Sequence, residues 1–93
     1  MVDKRLQEKM EQKINEAFEN TDEIKQIVKS LSVLSDNTNS FAFGVVIGRL
    51  YNSFYYQSRR ILKRDPTKKE FSEFLDILKQ KQQEFRKKLD FNL

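Results

Sequence analysis

The side chains with the clearest capacity for chemistry are the basic ones in the middle of the chain. Residues 37–64 contain five of them and no carboxylate, whereas residues 1–36 carry six basic and eight acidic side chains. Residues 65–93 are nearly balanced, with seven basic and six acidic side chains. The net charge of +4 therefore comes from the middle of the chain, and this distribution indicates a surface for an anionic partner.

In a helix over residues 41–64, these basic side chains share one face with polar side chains and a tyrosine. Arginine forks pair with phosphate oxygens, Asn and Ser side chains donate hydrogen bonds to them, and tyrosine stacks on a base. The pattern predicts binding of a DNA or RNA phosphate backbone, largely without sequence preference. The predicted nucleic-acid-binding residues are Arg49, Asn52, Ser53, Tyr56, Arg59, Arg60, Lys63 and Arg64.

Two other interpretations of the same basic face compete with nucleic-acid binding. Most of the basic residues lie near the end of the predicted helix, where positive charge offsets the helix dipole by about 0.3–1 kcal/mol each. Arg49 would then pair with a carboxylate on a neighbouring helix, such as Glu16 or Glu73. A protein with an acidic surface would also fit this face. The alternative function is therefore that of a protein–protein interaction domain, which includes homo-oligomerisation.

Two glycines lie four residues apart on the predicted core face of the same helix. Glycine inside a helix costs roughly 1 kcal/mol relative to alanine, so Gly44 and Gly48 indicate that another backbone approaches closely. The pair predicts either tight helix packing within the monomer or the seam of a homodimer. Val45 and Val46 lie on the basic side, and their apolar character predicts that the first helix or another subunit covers this end.

The composition argues against most enzyme chemistry. The chain has no cysteine and no histidine, which removes thiolate nucleophiles, the commonest general base at neutral pH and the commonest metal ligand. It also lacks a glycine-rich phosphate loop, a nucleophile elbow and EF-hand spacing. Residues 67–74 are too acidic for the recognition helix of a helix-turn-helix protein. We therefore expect a non-enzymatic binding module with no catalytic residue, metal or cofactor.

The apolar segments are too short to cross a membrane. The longest run, residues 41–48, has eight residues, against the roughly 20 that a membrane-spanning helix needs. The first residues resemble an amphipathic helix and not a secretory leader. These features predict no membrane partner and a cytoplasmic location.

The elements that must position these residues are predicted to be helices. Apolar residues recur at helical spacing over residues 3–35, 41–64 and 67–90, and the chain contains only two glycines and one proline. Asn39 or Ser40 is predicted to cap the second helix, Pro66 to follow its end, and Thr67 with Glu70 to form a capping box for the third. We expect one all-α domain over residues 1–93, an antiparallel three-helix bundle, or four helices if the first is broken near Asn20.

Overall fold

The computed structural model describes residues 3–90, and within this range the chain forms helices and connecting turns but no β-strand. The all-α prediction is confirmed for these residues, whereas residues 1–2 and 91–93 of the predicted single domain lie outside them. The predicted count of three helices is wrong, because the first and last helical segments are each interrupted. The helices are α1 (Lys4–Glu19), α2 (Thr21–Ser30), α3 (Thr38–Leu62), α4 (Lys68–Gln80) and α5 (Gln82–Lys88), with one 3-10 turn at Ser32–Leu34.

The first segment breaks at Asn20, as the sequence predicts. Asn20 leaves the helical conformation at φ −108° and ψ 45°, and its side-chain amide donates a 2.9 Å hydrogen bond to Glu23. Asn side chains compete with the helix for backbone geometry, which explains why the chain bends here. The apolar stripe nevertheless keeps its phase across the break, so both helices bury the same side of the segment. The buried residues are Leu6, Met10, Ile14, Ala17, Ile24 and Val28.

The central helix is shifted toward the N-terminus relative to its predicted bounds of 41–64. Its cap is Asn37 and not Asn39 or Ser40, because the Asn37 side chain accepts a 2.9 Å hydrogen bond from the Ser40 amide. It ends at Leu62, since Lys63 adopts the left-handed conformation at φ 62°. The capping box of the next helix is confirmed, with both reciprocal hydrogen bonds between Thr67 and Glu70 present.

The last segment is broken at Lys81, which the sequence analysis did not predict. The stripe of apolar residues in this segment contains one polar residue, Gln82, and α5 begins there. Lys81 has φ −96° and ψ 12°, and its amide donates to the carbonyl of Leu78 in place of a regular helical partner. The two short helices therefore replace the continuous helix predicted over residues 67–90.

Helix α3 supplies the centre of the core. α1 and α2 both pack on it, and α4 contacts it through the stacked rings of Phe54 and Phe74, whose centroids are 4.4 Å apart. Phe18 of α1 meets Phe85 of α5 at 5.0 Å and closes the core on the remaining side. The side chain of Asn39 donates a 3.0 Å hydrogen bond to Asp90. The segment formed by α4 and α5 therefore runs back along α3, and its end lies beside the start of α3.

The connection between α2 and α3 exposes apolar residues that the sequence pattern assigned to the buried stripe. Leu31 is 44% exposed and Leu34 is 72% exposed, and Val33 between them is 90% exposed. The 3-10 turn carries these side chains away from the core because it departs from α-helical periodicity. No helix within residues 3–90 combines the length and apolar character that a membrane crossing requires.

Candidate nucleic-acid interface

The orientation of α3 determines which of its side chains can meet a partner. Its buried residues follow one another at four-residue spacing from Ala42 to Ser58, so this stripe faces the core. Arg49, Asn52, Tyr56 and Arg60 follow a second line along the helix and are exposed, and Ser53 beside them is half-buried. The structure therefore brings these five predicted residues to one side of α3.

The end of α3 separates Lys63 and Arg64 from that line. Because Lys63 is left-handed, the chain turns away after Leu62, and both residues belong to the connection that leads to α4. The Ser58 hydroxyl, which is fully buried, donates a 3.1 Å hydrogen bond to the carbonyl oxygen of Arg64. This bond fixes the connection against the last turns of α3.

Two of the predicted phosphate-binding arginines are already bound to carboxylates. The Nε atom of Arg59 donates to Asp65, and the guanidinium of Arg59 lies 5.7 Å from the centre of the Tyr55 ring. Arg64 binds both carboxylate oxygens of Glu70, at 2.7 and 3.1 Å. These hydrogen bonds raise the pKa of each arginine. The hydrogen bond from Arg64 is also the main cause that lowers the pKa of Glu70 to about 2.

The absence of acids from residues 37–64 therefore does not make the folded surface free of acids. Asp65 follows the acid-free segment directly, and Glu70 lies on the first turn of α4. Both carboxylates reach back to α3 and the connection. Arg59 and Arg64 accordingly stabilise the turn through these ion pairs, and they are poor candidates for direct phosphate contact.

Arg49 lies apart from the other basic residues, toward α1. It lines a groove of about 430 Å³ together with Lys13, Glu16, Glu19 and Ser53. Within residues 3–90 Arg49 forms no ion pair, so the predicted pairing with Glu16 or Glu73 is not found; Glu16 instead binds Lys13 at 3.3 Å. The two carboxylates in this groove, Glu16 and Glu19, would repel a phosphate backbone at Arg49.

Four exposed basic side chains remain around the turn between α3 and α4, and we name this group the basic corner. The Arg64–Glu70 pair ties the connection to the first turn of α4, and all four members fall within residues 60–69. The members are Arg60, Lys63, Lys68 and Lys69. Across the described part of the chain, none of the four is paired with a carboxylate. The guanidinium of Arg60 donates a 3.3 Å hydrogen bond to the Gln57 amide oxygen.

Two members of the basic corner, Lys68 and Lys69, were missed by the sequence analysis. They were assigned to a helix whose exposed face contains acids, and the balanced charge of residues 65–93 concealed them. The available signal was the capping box that starts α4 directly after the turn. It starts α4 at Lys68, so Lys68 and Lys69 lie on its first turn, and the acidic Glu70 is turned inward, with only 8% of its surface exposed.

The residues predicted for a close helix contact are split between two sides of α3. Val46 is fully buried and Val45 is half-buried, whereas Gly44 and Gly48 are exposed. A Cβ atom added at either glycine would have no neighbour within 4 Å outside its own helix. The prediction of tight glycine packing within the monomer is therefore wrong, and a seam between two copies stays a prediction.

The glycines are exposed because the core face of α3 is rotated away from its predicted position. Val46, predicted to lie on the basic side, is fully buried, and the polar Gln57 is buried as well, whereas Tyr51 is 41% exposed. The true core stripe contains small and aliphatic residues on the side that α1 covers. Among the aromatic residues of α3, Phe54 belongs to this buried stripe, whereas Phe41, Phe43 and Tyr55 are half-buried and Tyr51 and Tyr56 are exposed.

No protein-family model, curated protein or solved structure matches this chain. Residues 3–90 also contain no group of three or more carboxylates arranged to hold a metal ion.

Proposed function

We propose that this protein is a non-enzymatic binding module that holds a nucleic-acid phosphate backbone at the basic corner. The observation that carries the proposal is that its four cations are exposed and have no ion-pair partner within residues 3–90, while the nearby Asp65 and Glu70 are bound to other arginines. The carboxylates that would otherwise repel phosphate are therefore already neutralised by Arg59 and Arg64.

The energetic basis of this binding is the release of counterions from the nucleic acid. Each phosphate that a basic side chain neutralises contributes about −0.9 to the slope of log K against log salt for duplex DNA. If each of the four cations contacts one phosphate, the slope is about −3.6. The contacts involve phosphate groups alone, so affinity depends weakly on base sequence.

Tyr56 adds a feature that favours unpaired strands. Its side chain is 63% exposed and lies one helical turn before Arg60 on the same side of α3. An exposed ring beside a phosphate-binding cation offers a surface on which an unstacked base can lie. We therefore infer that single-stranded nucleic acid binds more tightly than duplex.

Fluorescence anisotropy with charge-reversal variants tests this proposal. The double variant Arg60→Glu, Lys63→Glu is expected to weaken binding of labelled single-stranded DNA at least tenfold at low salt. The control is Lys87→Glu, Lys88→Glu, which makes the same change of net charge. These two residues lie at the other end of the molecule, since the end of α5 lies beside the start of α3. Equal loss in both variants would show that net charge alone drives binding, and unchanged binding in the corner variant would refute the proposal.

Self-association is the second candidate function, and it is supported by a different surface. Val33 and Leu34 are the most exposed large apolar residues within residues 3–90, and a recess of about 500 Å³ joins Leu34 to the outer side of α3. That side presents Gly44 and Gly48 with open space above both. A second copy would bury this apolar surface, which is otherwise exposed to water.

The mass of the protein in solution distinguishes this second candidate. We expect a weight-average mass that rises with concentration in sedimentation equilibrium and returns to that of the monomer in Leu34→Glu. Leu75→Glu is the matched control, because Leu75 is also exposed, at 46%, but lies on α4. A monomer at all concentrations would exclude self-association and leave a protein with an acidic surface as the alternative partner of the basic corner.

A further inference from the structure

A second recess opens where the break at Lys81 separates α4 from α5. It has a volume of about 290 Å³ and lies between this break and the first half of α3. Its apolar base is formed by Phe43 and Ile47 of α3 together with Leu78 and Phe85. Leu78 and Phe85 are nearly buried, whereas Phe43 and Ile47 are only half-buried. The recess therefore exposes part of the apolar core to solvent.

The recess exists because one position in the apolar stripe is polar. Gln82 lies four residues after Leu78 and three before Phe85, where a regular helix would bury an apolar side chain between them. Its side chain is exposed instead, and it lines the opening. No apolar side chain at position 82 therefore covers Leu78 and Phe85 at this opening.

The charges around the opening select the kind of ligand. Lys79 and Arg86 line it from opposite sides of the break, and both are exposed. No carboxylate lines this recess, and across residues 3–90 neither cation has an ion-pair partner. The groove at Arg49 differs, because Glu16 and Glu19 line it as well. An apolar base with two free cations and an amide at its edge fits a molecule with one apolar arm and one anionic head.

We propose that this recess binds a small amphipathic carboxylate, with its alkyl or aryl arm on Phe43, Ile47 and Leu78 and its head between Lys79 and Arg86. The volume suits a short chain, since ligand pockets for larger molecules begin at about 300 Å³. The guanidinium of Arg86 binds the carboxylate by charge-assisted hydrogen bonds. This site is separate from the basic corner, which lies at the opposite end of α3.

Titration of the full chain with octanoate, followed by amide chemical shifts in two-dimensional NMR, tests the proposal. We expect saturable shifts confined to residues around the recess, and much weaker binding of octanol, which lacks the anionic head. Lys79→Gln, Arg86→Gln should weaken octanoate binding at least tenfold, whereas Lys87→Gln, Lys88→Gln should leave it unchanged. Equal binding of octanol and octanoate, or no loss in the first double variant, would overturn the proposal.

A filled recess provides an independent check that does not change charge. Gln82→Leu is expected to raise the thermal unfolding midpoint and to abolish octanoate binding, because leucine occupies the ligand's place. Nucleic-acid binding at the basic corner should persist in this variant, so the two sites fail separately. Octanoate binding that survives in a stably folded Gln82→Leu protein would contradict the assigned site.

Discussion

Arg64 and Glu70 form a bidentate ion pair across the turn between α3 and α4, with Nη1–Oε1 and Nη2–Oε2 distances of 2.7 and 3.1 Å. The same carboxylate accepts a 2.8 Å hydrogen bond from the Thr67 amide, so it also caps α4. The pair thus joins the connection after α3 to the first turn of α4 and removes a negative charge from the surface. The cations on either side of it are left to face solvent.

Replacement of Glu70 by glutamine is expected to lower the free energy of unfolding by about 1–2 kcal/mol. The amide keeps the shape of the side chain but loses the ion pair, and the half-exposed Arg64 limits the loss because water screens the charge. Urea denaturation at neutral pH measures this difference. Glu84→Gln, at an exposed acid of α5, is the control and should change stability by less than about 0.5 kcal/mol.

The same carboxylate predicts how stability changes with pH. The pKa of Glu70 is about 2 in the folded protein, below its ordinary value of 4.5. Its stabilising contribution is therefore fully present above the unfolded-state pKa and is lost as the pH falls from about 4.5 through about 2. Between these limits the free energy of unfolding should fall more steeply in the unmodified protein than in Glu70→Gln. Parallel curves would show that Glu70 is not coupled to Arg64 in solution.

Lys63→Gly is predicted to stabilise the fold while weakening nucleic-acid binding. Lys63 occupies the left-handed position that ends α3, where a side chain is strained and glycine is not. We expect a gain of about 0.5–1 kcal/mol in the free energy of unfolding. Lys63→Ala removes the same charge but keeps the Cβ atom, so it should weaken binding without stabilising the fold. If Lys63→Gly binds nucleic acid as tightly as the original chain, Lys63 is not part of the interface.

Gly48→Ala is predicted to stabilise the monomer by about 0.5–1 kcal/mol. Alanine has the higher helix propensity, and nothing outside the helix lies within 4 Å of the added methyl group. Thermal or urea unfolding at low concentration measures the gain. A loss of stability instead would show that the outer side of α3 is packed against another surface in solution.

Tyr56→Ala is predicted to change binding more than stability. Its ring is 63% exposed, so its loss should cost less than about 0.5 kcal/mol in unfolding free energy. If the ring stacks on a base, single-stranded binding falls by about 1–3 kcal/mol and duplex binding changes little. Anisotropy with matched single-stranded and duplex probes measures both. Equal effects on the two probes would exclude stacking.

The sequence predicts the helices of this protein better than their orientation. Local signals, such as the poor helix formers at Asn20 and the capping box of Thr67 and Glu70, identify where helices break or begin because those effects act within one turn. The rotation of α3 depends on which neighbours cover it. Tyr51 and Val46 both count as apolar in a pattern, and only packing against α1 and α4 decides that Val46 is buried.

The candidate site was predicted in part for the same reason. The exposed positions of Arg60 and Tyr56 follow from helical spacing and composition, whereas that of Lys63 depends on where α3 ends. The pairing of Arg59 and Arg64 depends on how the chain turns after Leu62, because that turn brings Asp65 and Glu70 back to them. The break at Lys81 depends on one polar residue in an otherwise regular stripe, which periodicity alone does not distinguish from a continuous helix.

The salt dependence of single-stranded DNA binding decides whether the basic corner contacts phosphate groups. Affinity measured by anisotropy across several salt concentrations should give a slope of log K against log salt of about −2.8, from four phosphate contacts at about −0.7 each. In Arg60→Gln, Lys63→Gln the magnitude of the slope should fall by about half, with weaker binding of all sequences alike. No binding at low salt, or an unchanged slope in that variant, would contradict the assignment of the basic corner as a phosphate-binding surface.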